Sequence, residues 1–261
     1  MTKEKYQTLE KWFTEYVDTV DCSTPEYRQN ARIKVDHTLR VCREVEALAE
    51  HLQLSADDRI LAQTCALLHD IGRFEQFRRY GTFVDQRSTN HALLGVEILE
   101  GEGILDRLEK RDREIVLTAI RHHNRVVLED DIRGRARLFA QLLRDADKLD
   151  IWRVVTDYYS DRDAEKNPTL ELDLPDTPAI SDGVVSDIRN HVIVKVEHMR
   201  NLNDFKILQM GWVFDLNFAW SACEVLDRSY LAKIYAVLPQ TPLAAEVYRV
   251  TAAEAERLAN S

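Results

Sequence analysis

Apolar residues recur every three or four positions over long stretches of the chain, which is the spacing of one face of an α-helix. Strand-like alternation is scarce, and eight glycines and six prolines leave few breaks among 261 residues. The pattern predicts a single all-α domain over residues 1–261. We expect a helical core at about 30–155, a loop at 160–183, and a helical extension at 184–261 that packs on the same core.

Cap residues mark the ends of several predicted helices. Ser55 is expected to cap a helix that runs to Ile71, where Gly72 stops it. Asn90 ends the stretch "STN" and caps a helix that starts at His91 and continues to about residue 99. Further helices are predicted at 4–20, 27–53, 112–124 and 135–160, and a loop is predicted at 73–91.

Histidines and aspartates interrupt the apolar faces of these helices. His37 shares a stripe with Val41 and Val45, while His69 and Asp70 end the apolar run "CALLHDIGRF". Burying such groups is costly unless something pairs with them. A cation would satisfy them, and helical bundles build metal sites from side chains on facing helices. The inward-facing candidates are His37, His69, Asp70, His91, His122, His123 and Asp147.

Helical neighbours distinguish the aspartates of "LFAQLLRDADKLDIW". Asp147 shares its face with apolar residues such as Leu143 and Ile151, whereas Asp145 lies on a mixed face that includes Lys148. Periodicity therefore favours Asp147 as the inward ligand. Asp145 and Asp150 are expected to support a ligand or to lie on the surface.

Charge and cysteine usage limit the partners. A net charge of −10 argues against a nucleic-acid polymer or an anionic membrane as the main partner. Four cysteines without a CxxC pair, and an N-terminal stretch "MTKEKYQTLEKWF" without an apolar run, favour a reduced, cytoplasmic protein. A homodimer is one assembly that the sequence allows.

The order of these ligand candidates resembles the HD-domain metal-dependent phosphohydrolase superfamily. The matching residues are His37 in "VDHTLRVCREV", the doublet His69-Asp70 in "ALLHDIGRF", and Asp147 in "RDADKLD". The resemblance covers about residues 30–155. It implies a divalent metal, one or two ions per chain, held by these four residues, and it does not distinguish Mn, Fe, Mg, Co, Ni or Zn.

Three further histidines resemble those of the two-metal branches of this superfamily, which cleave cyclic dinucleotides or are mixed-valence di-iron oxygenases. By that resemblance Asp70 would bridge two metals, and His91 with one or both of His122 and His123 would hold the second. Alternatively, the three histidines line a substrate pocket around one metal. "HDIGR" in place of "HDIGK", and the absence of a GYP signature, disfavour a cyclic dinucleotide.

The resemblance implies hydrolysis of a small phosphoester, and a nucleotide-like metabolite is the expected substrate. Metal-activated water would attack phosphorus, and Asp70 could accept its proton. Arg73 is expected to bind phosphate, and Lys148 to bind a phosphate oxygen or to pair with a carboxylate. The predicted loop at 73–91 would cover the substrate. Two alternatives remain: a di-iron oxygenase of the superfamily, and a non-catalytic regulatory module that binds metal or nucleotide.

Overall fold

The computed structural model describes residues 1–19, 25–161 and 171–261. Within these ranges the chain forms α-helices and short 3-10 turns without a strand, which confirms the all-α prediction. In the same ranges, no helix is both long and apolar enough to cross a bilayer. Cys22 and residues 162–170 of the predicted loop lie outside the described residues.

The described helices follow one another along the chain in two groups. The first group is α1 (Lys3–Thr19), α2 (Pro25–His51), α3 (Ala56–Leu68), α4 (Ile71–Tyr80), α5 (His91–Gly101), α6 (Lys110–His122) and α7 (Gly134–Ser160). The second group is α8 (Asp182–Arg189), α9 (Leu202–Gly211), α10 (Ala219–Asp227), α11 (Tyr230–Ala236) and α12 (Pro242–Ala259). Backbone contacts divide the chain into two compact units, Met1–Asp147 and Lys148–Ser261, with the boundary inside α7.

The predicted helix stop at Gly72 is wrong. The preceding helix already ends at Leu68, and Gly72 lies in the first turn of α4. A side chain at Gly72 would collide with the carbonyl oxygen of His91, and its Cβ would lie 2.6 Å from the Gly95 amide nitrogen. Glycine is therefore needed here because two backbones approach closely, so that the start of α4 packs directly on the start of α5.

The predicted loop at 73–91 is partly helical, because residues 73–80 continue α4. That helix ends at Gly81, whose φ of 64° is left-handed and whose amide donates to the Phe77 carbonyl at 2.8 Å. Arg78 and Arg79 extend from the last turn and both pair with Glu75 at 2.5 Å. These arginines therefore lie on a helix, instead of in the predicted loop, and pair with a carboxylate. A substrate covered by this stretch stays a prediction.

The second unit has a hydrophobic cluster, formed by the second half of α7 and the helices after it. Trp152, Ile207 and Val247 are fully buried in this cluster. The Trp152 indole N–H donates to the Gln209 carbonyl at 2.9 Å, so the one polar group of this large side chain is satisfied. The single-domain assignment stays a prediction.

Candidate metal centre

The doublet His69-Asp70 lies at the junction between α3 and α4. Consecutive residues within one helix point in different directions and do not face each other. Here α3 ends before the doublet, and Asp70 takes a backbone conformation (φ −101°, ψ 15°) outside the helical region. The two side chains consequently point toward the same part of the interior, and His69 Nε2 lies 3.7 Å from Asp70 Oδ2.

The first ligand set consists of His37, His69, Asp147 and the Oδ2 atom of Asp70. His37 Nε2 lies 3.3 Å from His69 Nε2 and 3.2 Å from Asp147 Oδ1. Asp70 Oδ2 is 3.7 Å from the Nε2 atom of each of these two histidines. The structure thus brings together the four residues that the sequence predicts as metal ligands, supplied by α2, the α3–α4 junction and α7.

The second ligand set consists of His91, His123 and the other oxygen of Asp70. Asp70 Oδ1 lies 3.4 Å from His91 Nε2 and 3.8 Å from His123 Nε2, and these two nitrogens are 3.0 Å apart. His91 is the first residue of α5, and Asn90 caps that helix by accepting from the Ala92 amide. The two oxygens of Asp70 therefore face different sets of histidines.

His122 is the one predicted site histidine that does not join either ligand set among the described residues. It is the last residue of α6 and is partly exposed, and burial lowers its pKa. His123, the next residue, caps the helix and is buried. Of the alternatives that the sequence left open, the structure places His123 beside His91.

Hydrogen bonds to the Nδ1 atoms fix which nitrogen of each imidazole is available as a ligand. His69 Nδ1 lies 2.7 Å from the Ala66 carbonyl, and His123 Nδ1 lies 2.7 Å from the Ile120 carbonyl. A carbonyl oxygen can only accept, so these Nδ1 atoms carry the proton. The Nε2 atom of each ring therefore faces the centre and is the nitrogen available to a metal.

The nitrogens that face one another in the centre suit a cation. His91 Nδ1 donates to the Asp85 carboxylate at 2.8 Å, so His91 presents its other nitrogen, Nε2, to His123 Nε2 at 3.0 Å. Burial lowers the pKa of His69 to about 4, and burial together with Arg73 lowers that of His91 to about 3. His69 and His91 are therefore neutral near pH 7, and the set of imidazoles and carboxylates fits a divalent metal.

The two carboxylates of the centre are held ionised. Burial acts to raise the pKa of Asp70, but the Lys34 ammonium and the neighbouring imidazoles outweigh it and keep that pKa well below its usual range. For Asp147, burial is likewise outweighed, here by His37 and His69, and the pKa is lowered. Ionised carboxylates are the form that binds metal, so both residues are ready to serve as ligands.

Sequence reasoning missed Asp85, which orients His91. Asp85 lies in a 3-10 turn between α4 and α5 and accepts from Gln76 at 2.8 Å and from Asn124 at 3.2 Å. Burial raises its pKa, but the hydrogen bond with His91 outweighs this and the pKa falls to about 2. The residue lies outside the helical periodicity, so no spacing pattern pointed to it.

Arg73 supports Asp85 from the first turn of α4. Its Nη1 atom donates to the Phe83 carbonyl at 2.5 Å, to Gln76 Oε1 at 2.9 Å and to Asp85 Oδ1 at 3.0 Å. This guanidinium nitrogen is therefore occupied by groups of the protein itself. The expected contact between Arg73 and a substrate phosphate stays a prediction.

Lys34 is a second residue that the sequence analysis missed. Its Nζ atom lies 3.0 Å from Asp70 Oδ2 and 5.3 Å from the centre of the Phe83 ring. Lys34 precedes His37 by three positions on α2, so both residues lie on one helix face. This spacing could have identified Lys34 once His37 was recognised as a ligand.

The remaining acidic and basic candidates occupy different surroundings. In the second unit, Lys148 Nζ lies 2.5 Å from Asp215 Oδ2, so its ammonium pairs with a carboxylate, and a phosphate contact stays a prediction. Asp145 and Asp150 are fully buried. Of the two roles expected for them, burial excludes a place on the surface, and support of a ligand stays a prediction.

A comparison with protein-family models places residues 35–152 in the family described as HD domain. This domain is the one that defines the HD metal-dependent phosphohydrolase superfamily, so residues 35–152 form an HD domain. The matched region contains every residue of both ligand sets, from His37 to Asp147. Comparison with curated proteins and with solved structures gave no match.

Proposed function

We propose that this HD-domain protein is a two-metal phosphohydrolase that cleaves a small, nucleotide-like phosphoester. The observation that carries the proposal is the division of the Asp70 carboxylate, whose two oxygens face two different sets of histidine nitrogens. A carboxylate placed in this way suits a bridge between two cations. When bound, such cations polarise phosphoryl oxygens and lower the pKa of water toward neutrality, which provides the nucleophile for hydrolysis.

The charges of the centre support an anionic substrate. The two ligand sets contribute four imidazoles, which bind metal in their neutral form, and the two carboxylates of Asp70 and Asp147. Two divalent cations would outweigh these two negative charges, and the nearby Lys34 ammonium adds a further positive charge. A phosphoester anion would balance this excess, whereas a neutral substrate would not.

The residues of the chain then have distinct roles. Lys34 binds a non-bridging oxygen of the phosphoryl group, since its ammonium already lies against the bridging carboxylate and is largely enclosed. Asp70 serves as a ligand, and its lowered pKa makes it a weak base. The expected proton transfer to Asp70 therefore has less support from the structure than its role as a bridge.

The proposal is tested by measuring phosphate release from a panel of phosphoesters. Protein stripped of metal would be supplied with Mn²⁺, Co²⁺ or Mg²⁺ and given nucleoside monophosphates, cyclic nucleotides and p-nitrophenyl phosphate. We expect metal-dependent turnover of at least one nucleotide by the wild type and none by His37→Ala. Lys34→Gln should raise KM. Metal-loaded protein that releases no phosphate from any member of the panel would contradict the proposal.

A di-iron oxygenase is the second candidate, because the structure brings together the full set of four histidines and two carboxylates. That donor set also suits iron. An oxygenase would be recognised by iron in the purified protein and by oxygen consumption without phosphate release. A regulatory module would be recognised by tight binding of a nucleotide without turnover.

A further inference from the structure

Arg144 is a buried arginine of α7 that binds the end of α6. It is 2% exposed, and its Nη1 atom donates to three carbonyl oxygens, those of His122 at 2.9 Å, His123 at 3.1 Å and Arg125 at 2.6 Å. Its Nη2 atom donates to the Val126 carbonyl at 3.4 Å. One side chain thus binds four of the five carbonyls from His122 to Val126, at the end of α6 and in the turn that follows it.

These contacts match the needs of a helix C-terminus. The last carbonyls of a helix lack amide partners within the helix, and they lie at the negative end of its dipole. A guanidinium offers five N–H donors in a fixed planar arrangement, so it can satisfy several carbonyls at once, which an ammonium does less well. Arg144 therefore determines where the backbone of His122 and His123 lies.

The same turn of chain carries a ligand of the candidate centre. His123 bonds through Nδ1 to the Ile120 carbonyl and presents Nε2 to His91 Nε2 at 3.0 Å. The ring is therefore fixed relative to its own backbone, and that backbone is fixed by Arg144. A shift of the end of α6 would carry His123 away from the second ligand set.

We propose that Arg144 is a positioning residue for the second ligand set, and that this set loses its metal when the guanidinium is removed. The inference rests on the two-metal centre of the proposed function. Asp147, one turn further along α7, belongs to the first ligand set and is held by α7 itself. Loss of Arg144 should consequently empty the second set and leave the first set able to bind metal.

The test compares Mn²⁺ binding by the wild type, Arg144→Lys and Arg144→Gln. We expect two Mn²⁺ ions per wild-type chain, with the broadened electron paramagnetic resonance spectrum of a coupled pair. Arg144→Gln should keep one ion and show the six-line spectrum of isolated Mn²⁺, and Arg144→Lys should weaken the second ion at least tenfold. Both readouts are independent of phosphate release, so failure of the enzymatic proposal would not be mistaken for failure of this one.

Arg135→Gln is the matched control, since Arg135 also lies on α7 and pairs with Asp58 and Asp112. It should lower the melting temperature and still bind two coupled ions. Circular dichroism would establish which variants are folded, and Arg144→Lys preserves the charge if Arg144→Gln does not fold. A folded Arg144 variant that binds two coupled ions would overturn the inference. So would a wild-type protein that binds a single ion, or loss of the second ion in Arg135→Gln.

Discussion

The close approach of α4 and α5 at Gly72 predicts a specific cost for adding one methyl group. In Gly72→Ala, the new Cβ would collide with the His91 carbonyl and lie 2.6 Å from the Gly95 nitrogen and 3.1 Å from the Gly95 Cα. Ordinary contacts of this kind begin near 3.4 Å. Because the colliding atoms belong to the backbone, the two helices must separate, since no side chain can rotate away.

The size of the effect follows from two opposing contributions. Overpacking of a tight interface costs about 1–3 kcal/mol, and a collision with backbone lies toward the upper end. Replacing a helical glycine by alanine returns about 1 kcal/mol of helix propensity. We therefore expect the free energy of unfolding to fall by about 2 kcal/mol, which lowers the melting temperature by roughly 4–8 °C. His91 would move with α5, so the second ligand set should bind metal more weakly than the first.

Gly101→Ala is the control for this prediction. Gly101 ends α5, and a Cβ placed there meets no atom within 4 Å, so the substitution should leave stability unchanged or raise it slightly. Thermal unfolding in the presence of chelator would measure stability, and equilibrium competition with a chelator would measure metal affinity. A Gly72→Ala protein with the wild-type melting temperature and two equally retained metals would refute the reasoning.

Three further predictions concern the second ligand set and its protonation. Asp85→Asn should weaken metal binding at His91 about 10–100-fold, as judged by chelator competition, because the carboxylate that orients the ring is lost; an unchanged affinity would contradict this. Metal analysis should show that His123→Ala loses one metal ion per chain and that His122→Ala loses none. The reverse ranking would show that the wrong histidine is assigned to the second ligand set. The folded-state pKa values of His69 and His91, about 4 and about 3, lie below the ordinary 6.5, so the unfolded chain binds protons more readily. The metal-free protein should therefore lose stability as the pH falls from about 6.5 toward 4, by at most ~1.4 kcal/mol per pH unit for each histidine, and urea midpoints that stay constant over this range would be inconsistent with it.

Features that depend on local periodicity could be predicted from the sequence. The helices around His37 and Asp147 were expected because apolar residues recur on one face of each, and the structure has α2 and α7 there. Ser55 was expected to cap α3, and its side chain accepts from the Asp58 amide at 3.2 Å. Such signals lie within a few residues of the feature they determine, so a single sequence is enough to recognise them.

Features that depend on contacts between distant segments could not be predicted in this way. Gly72 looked like a helix stop. Glycine is needed there because the backbone of α5 packs against it, and that backbone lies about twenty residues further along the chain. Asp85 orients His91 from a connecting turn without periodicity. Asp145 seemed to lie on a mixed face, yet the fold buries it completely. In each case the local pattern is the same whether or not a distant segment covers the residue.

The distinction between His122 and His123 shows a further limit. Which of two neighbouring residues points toward the site depends on where the helix ends, and a shift of that end by one position changes the answer. Sequence patterns locate helix ends only to within a few residues. The structure ends α6 at His122 and turns His123 into the centre, held by its bond to the Ile120 carbonyl.

The most direct test of the account is the metal content of the wild type and of Asp70→Ala, purified without chelator and then equilibrated with one divalent metal. Because each oxygen of Asp70 faces its own ligand set, the account predicts two ions per wild-type chain and the loss of both in Asp70→Ala. A wild-type protein with one ion, or an Asp70→Ala protein that retains one of two, would show that Asp70 does not bridge a pair of metals.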